Sequence, residues 1–255
     1  MRAMGSVVFT SLLLLGATAA SAAAPADGAT ALALSGLPVA YAAGSFESPV
    51  GFGGSWGSVG LGFLYGPGSE GHDSSMALAV GFGDADEFAA LDVATVISSL
   101  SASEGGDYGF GEEGSFAVKL HRNLGNYTSV AIGASAIGRW GGEVYMDKNP
   151  PGYYAAVSKA VFWGDRVLML SGGAGHNVTN KTGNGFDVFG SLAVYLTPWL
   201  SLIAEDNGHY ANAAISVAPL PFWLPLTITT GYVDLLSQHN AHPEWNIIAA
   251  VGYHF

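Results

Sequence analysis

The segment Glu205-Asp206-Asn207-Gly208-His209 places two carboxylates and an imidazole side by side, residue types that can activate water by general acid–base chemistry. The same residues have a plainer explanation. Asn-Gly is the strongest short-range signal for a tight β-hairpin turn, and that accounts for most of the segment. His239 and His242, in His-Asn-Ala-His-Pro, have a spacing that could hold a metal, but two ligands on a loop make a weak site. His72-Asp73-Ser74-Ser75 offers a base beside hydroxyls, yet a His and a Ser that cooperate are expected on facing strands. The chain has no cysteine, so thiolate metal sites and disulfides do not arise. An outer-membrane hydrolase is the alternative these residues would support; the expectation is instead no catalytic residues, no cofactor and no metal site, and hence no enzyme.

What must position these residues is a set of strands. Hydrophobic residues make up 49% of the 255-residue chain and charged residues 11%, against about 25% charged in ordinary soluble domains. After residue 24 no apolar run approaches the ~20 residues a membrane helix needs. The apolar residues instead alternate with polar or small ones. Trp245, Ile247, Ala249, Val251, Tyr253 and Phe255 share one face, while Lys119 and His121 interleave with Phe116, Val118 and Leu120. Such alternation suits a closed barrel in lipid, where only the outward face must be apolar and every backbone group finds a partner. The pattern predicts an all-β fold, a transmembrane antiparallel up-and-down β-barrel of about 12 strands. Strands are expected near 55–65, 74–83, 88–100, 114–122, 126–138, 153–162, 166–176, 186–196, 199–205, 210–218, 226–234 and 245–255.

The connections alternate in length. Short turns are expected at 83–87, 123–125, 163–165 and 197–198, with a longer one at 219–225. Loops are expected at 66–73, 101–113, 139–152, 177–185, 206–209 and 235–244. Sorting by parity is what a barrel with short periplasmic turns and long outer loops produces. At the start, Met1-Arg2, the apolar Leu12 to Leu15 and the small residues Ala20-Ser21-Ala22 have the form of a secretory signal. Three segments are therefore expected: a signal peptide at 1–22, a periplasmic lead-in or short plug at 23–54, and an outer-membrane barrel at 55–255.

Charges within the strands should face the lumen, because facing lipid they would cost up to ~2–4 kcal/mol each. The lumen and mouth candidates are Lys119, His121, Asp187, Tyr195, Glu205, Asp206, Tyr210, Asn212, Glu112 and Glu113. The net charge is −12 with eight Lys and Arg, which argues against nucleic acid as a partner. Acidic outer loops would raise the local concentration of small cations. Trp140, Tyr145, Tyr153 and Tyr154 are the nearest candidates for a surface-polysaccharide platform, and they equally suit an interfacial girdle.

Several stretches carry a family likeness. Leu78-Ala-Val-Gly-Phe-Gly-Asp84, Lys119-Leu-His-Arg-Asn-Leu124, Ser201-Leu-Ile-Ala-Glu-Asp206, Asn212-Ala-Ala-Ile-Ser-Val-Ala218 and Leu226-Thr-Ile-Thr-Thr-Gly-Tyr-Val-Asp234 follow in this order. Over about residues 50–255 they resemble a family of exported bacterial outer-membrane barrels, porin-like and without an established activity. Pro198-Trp199 with Ile203-Ala-Glu205 more loosely resembles barrels encoded with exopolysaccharide secretion genes. The ending Gly252-Tyr253-His254-Phe255 resembles the signal read by the barrel assembly machinery, with Tyr253 and Phe255 as the aromatic pair. The first likeness supports the fold and an outer-membrane location among lipid and lipopolysaccharide; the second supplies only the alternative function, an accessory to exopolysaccharide secretion or surface binding. The acidic loops and large inward side chains suggest a narrow, weakly cation-preferring channel, or else a structural barrel.

Overall fold

The computed structural model describes residues 41–68, 71–98, 100, 109–164, 166–178, 185–220, 223–237 and 243–255. The expected signal peptide and the stretch before Tyr41 lie outside the described residues, as do His239 and His242. Twelve strands are present: β1 (Ser58–Gly68), β2 (Gly71–Asp84), β3 (Ala89–Ile97), β4 (Gly114–Gly125), β5 (Thr128–Trp140) and β6 (Gly152–Trp163). They continue as β7 (Arg166–His176), β8 (Phe186–Thr197), β9 (Leu200–Asp206), β10 (Ala211–Val217), β11 (Leu226–Val233) and β12 (Glu244–His254). Each pairs with its sequence neighbours, and β1 pairs antiparallel with β12 from Ser58↔His254 to Tyr65↔Ile247, so the barrel is closed. Closure leaves no unpaired sheet edge.

Alternation sorts the two faces. On β9, Ser201, Ile203 and Glu205 are buried while Leu202, Ala204 and Asp206 are exposed. Around the barrel the outward positions hold Phe63, Leu78, Leu120, Ile132, Leu170 and Leu202, all exposed. Most inward positions are small or polar, with Ala77, Ala94, Ser129, Ser158, Ser201 and Ser216 all buried, and a smaller apolar set, Leu64, Val96, Ile203, Val233 and Ile248, clusters among them. The large apolar surface is on the outside, the reverse of the usual globular arrangement. Among the described residues no helix is long and apolar enough to cross a membrane.

Three local features differ from the sequence expectations. The β1–β2 connection, expected to span 66–73, is confined to 69–70 because the ladder continues to Gly68↔Gly71. Gly66 reads as a turn residue, but its lack of a side chain serves close packing, since a Cβ there would lie 2.1 Å from Asn246 Oδ1. The β4–β5 turn sits at Asn126 and Tyr127, not at 123–125. Both have positive φ, 48° and 55°, as the two-residue hairpin of the mirror-image type requires. Tyr127 is an unfavourable residue for that backbone, and its ring packs on Phe162 at 4.9 Å. Between β5 and β6 a short helix α1 (Glu143–Lys148) occupies the predicted loop, with Arg139 donating to the carbonyl of Asn149 at 3.0 Å.

The chain terminus lies at the seam. Phe255 is 78% exposed, its N–H donates to Gly57 O at 3.2 Å, and its ring is 5.8 Å from that of Tyr253. So little contact means Phe255→Ala should leave thermal stability nearly unchanged. A fall in the fraction assembled in cells is nonetheless expected if Tyr253 and Phe255 form an assembly signal. Normal surface levels of the variant, measured by protease accessibility on whole cells, would count against that role.

Candidate functional site

The lumen is occupied by the chain itself. Residues 42–54 are almost all buried, with Phe46 1% and Glu47 3% exposed. The segment enters at the end of the barrel that carries Phe255. There Thr227 Oγ1 donates to Tyr41 O, Tyr195 Oη to Ala42 O and Ser201 Oγ to Ala43 O, while Ala43 N donates to Ser216 Oγ. It rises along β8–β11 and turns at residues 45–49. It then descends along β3–β6 into β1, where Trp56 N donates to Gly83 O. The inward Ser and Thr side chains thus supply donors and acceptors to a backbone that has no strand partner. A buried backbone without them would be strongly disfavoured.

Two polar clusters fasten the segment. At its tip, Glu205 on β9 accepts from Ser45 Oγ at 2.6 Å, Phe46 N at 3.0 Å and Glu47 N at 2.8 Å. The Glu47 carboxylate accepts from the side-chain amides of Asn207 at 2.9 Å, Asn212 at 3.2 Å and Asn246 at 3.2 Å. Asn212 Nδ2 also donates to Glu205 Oε1 at 3.3 Å and so bridges the two carboxylates. On the descending leg, Lys119 Nζ lies 3.1 Å from Asp92 Oδ2 and donates to Phe52 O at 2.8 Å. His121 Nε2 is 3.0 Å from Gly54 O, and Gly54 N donates to Asp92 Oδ1 at 3.0 Å.

Glycine lets this leg lie against the wall. A Cβ on Gly51 would stand 2.3 Å from Ser129 O, and one on Gly53 would stand 2.3 Å from Asp92 Oδ2. Ser129 Oγ donates to Gly51 O and Gly51 N donates to Ser158 Oγ, both at 2.8 Å.

The residues singled out from sequence fall into three groups. Lys119, His121, Asp187, Glu205, Tyr210 and Asn212 are inward and buried, and Tyr195 joins them through its bond to Ala42 O. Glu112 and Asp206 are exposed and Glu113 is half-buried at the end opposite Phe255, Asp206 facing outward. Tyr253 and Phe255 are exposed at the other end. Glu205 is among the inward side chains and holds the tip of the segment. Glu205 and Asp206 point to opposite faces, so they do not form a paired-carboxylate site. The aromatics considered for polysaccharide do not converge: Tyr145 and Tyr154 are buried, and Tyr153 is 56% exposed on the outer face.

Sequence reasoning did not single out Ser45, Glu47 or Gly51, and it read Asn207 only as a turn residue. The signal available was Glu47, which with Asp27 supplies the carboxylates of the Ala-, Gly- and Pro-rich stretch.

Fold and site together define a closed twelve-stranded barrel filled by a segment of its own chain. No protein-family model matches the sequence, and no curated protein matches it. Among solved structures the chain is similar to an outer membrane channel from Pseudomonas putida F1, with a TM-score of 0.50 and 12% identity over 77% of this chain and 95% of that one. At that identity the likeness is one of fold.

Proposed function

We propose that the protein is an outer-membrane channel held shut by residues 41–54. The barrel's outward apolar belt and closed edges suit lipid, and the similar solved barrel is described as an outer membrane channel. The observation that carries the reading is the polar fastening of the plug. Its backbone and the Ser45 and Glu47 side chains are held by hydrogen bonds to wall side chains such as Ser201, Glu205, Asn207, Asp92 and Lys119, which water would replace group for group if the segment withdrew. Phe46 and Phe52 also pack in an apolar cluster with Met169, Ile203, Val233 and Ile248, so withdrawal must expose that surface as well. The acidic side chains at the end opposite Phe255, among them Glu112, Glu113 and Asp206, would favour cations over anions in any current.

The test is conductance in planar bilayers of the full chain and of a variant lacking residues 41–54. The full chain should show rare or small openings, and the deletion should show large steady steps. Its reversal potential should favour cations, more so at low salt, where the screening length is about 30 Å at 0.01 M rather than about 10 Å at 0.1 M. Absence of current from a correctly closed deletion barrel would remove the channel reading.

A further inference from the structure

The tip of the plug brings two carboxylates together inside the barrel. Glu47 and Glu205 share the amide of Asn212, and Glu47 N–H is itself bonded to Glu205. Among the described residues, no Lys, Arg or His lies against either. The titratable groups on the surrounding elements are mostly acidic: Asp187 on β8, Asp206 on β9, Asp234 after β11 and Glu244 on β12. The others are His209, whose ring packs on Tyr210 at 4.4 Å, and Tyr210 itself.

The amides also argue against a bound cation. Asn207 Oδ1 accepts from His209 N and Tyr210 N, and Asn212 Oδ1 accepts from Asp234 N. Both side chains are thereby fixed with their NH2 groups, not their oxygens, toward the carboxylates. Donors are arranged around Glu47 where a metal ion would need acceptors. Two carboxylates so close in a buried site each raise the cost of ionising the other; the surrounding amide, hydroxyl and backbone donors offset part of that cost, and a proton on one of the two removes the repulsion.

We propose that the plug is a proton-operated latch: docking of the tip requires one proton on the Glu47–Glu205 pair, and its loss at alkaline pH releases the segment. Burial, then the facing Glu205 carboxylate, pushes the Glu47 carboxyl up from 4.5 to about 8, against the opposing hydrogen bonds of Asn246, Asn207 and Asn212. A withdrawn tip in water would titrate in the ordinary carboxylate range, about 4.3. The raised value therefore favours docking most at pH below that range. Docking weakens as pH rises and loses this contribution entirely above about 8, by up to ~tenfold per pH unit within the window.

The experiment uses the full chain, which has no cysteine. Ser48→Cys places a thiol at the buried tip, where Ser48 is 2% exposed. Labelling by a bulky methanethiosulfonate is measured from pH 5 to 9, each rate divided by that of the heat-denatured chain at the same pH. Protection should fall steeply between about pH 5 and 8 and then level. Adding Glu47→Gln or Glu205→Gln, each of which removes the titratable charge of one partner, should flatten the profile. A flat profile in the parent, or an unchanged one in both Gln variants, would overturn the latch. The reading needs no current, so failure of the channel proposal and failure of the latch are separable.

Discussion

Asp92→Ala should expel the descending leg of the plug while leaving the barrel closed. Lys119 and Asp92 are both nearly inaccessible, 4% and 7% exposed at the side chain, with Nζ and Oδ2 3.1 Å apart. Removing one partner of a buried ion pair costs ~3–5 kcal/mol because the other charge is left stranded. In an ordinary core that cost would fall on global folding. Here the stranded ammonium has another outcome, since withdrawal of residues 50–54 admits water to it. Gly54 N would also lose its acceptor. The cost therefore falls on docking, a shift of roughly two to three orders of magnitude in the docked-to-withdrawn ratio. Proteolysis of the released segment and channel openings should both rise, while unboiled gel mobility and the melting temperature stay near those of the parent. Adding Lys119→Met removes the stranded charge and should recover most of the docking. Equal loss in the single and double variants would show that the charge is not the cause.

Gly51→Val should have an effect of comparable size by a steric route. The new Cβ would stand 2.3 Å from Ser129 O, 2.8 Å from Ser129 C and 2.9 Å from Ser158 N. All three are backbone atoms in paired strands, Ser129↔Ser158 being a register pair of β5 and β6. A flexible side chain could move aside, but this wall cannot yield without breaking the ladder. Overpacking ordinarily costs ~1–3 kcal/mol, and a rigid neighbour places this case at the upper end or beyond. The segment can escape the clash only by leaving. Gly172→Ala provides the control, because its added Cβ would meet only Phe189 O at 3.6 Å, an ordinary contact. Steady conductance in Gly51→Val and parental behaviour in Gly172→Ala are the expected results. A Gly51→Val protein that remains as closed as the parent would mean the descending leg does not control access.

The wall of this protein was legible in its sequence and the contents were not, for a physical reason. A strand with one face toward lipid and the other toward the lumen has a strict period of two, so Lys119 and His121 between Phe116, Val118 and Leu120 declare their side without further information. The same rule places Asp187, Ser201 and Glu205 inward. The plug follows no period. Apart from the Ser45 and Glu47 side chains, residues 41–54 make their bonds through backbone N–H and C=O groups, which every residue carries, and through close approach, which shows only as glycines such as Gly51, Gly53 and Gly54. Glycine there is equally the mark of a loose linker. The turn at Asn126 and Tyr127 escaped for a related reason. Gly125 has the positive φ of a turn residue, 76°, yet it lies within β4, and the positive φ continues through Asn126 to Tyr127, which is steadied by Phe162.

The seam between β1 and β12 has a consequence for the order of events during assembly. Residues 41–55 run directly into β1, and β1 completes the ring only when it meets the last strand, with Gly57 O accepting from Phe255 N. The first strand of the barrel must therefore wait for the last, a sequence separation close to 190 residues at Tyr65↔Ile247 and Ser58↔His254. Pairings this distant are slow to find because the intervening chain must first be confined. The contents of the lumen are ready before its container exists. A segment already hydrogen-bonded to β8–β11 on one flank and β3–β6 on the other would draw those two flanks together. It could thus act as an internal template for ring closure, and strands assembled without it would search for the seam unaided.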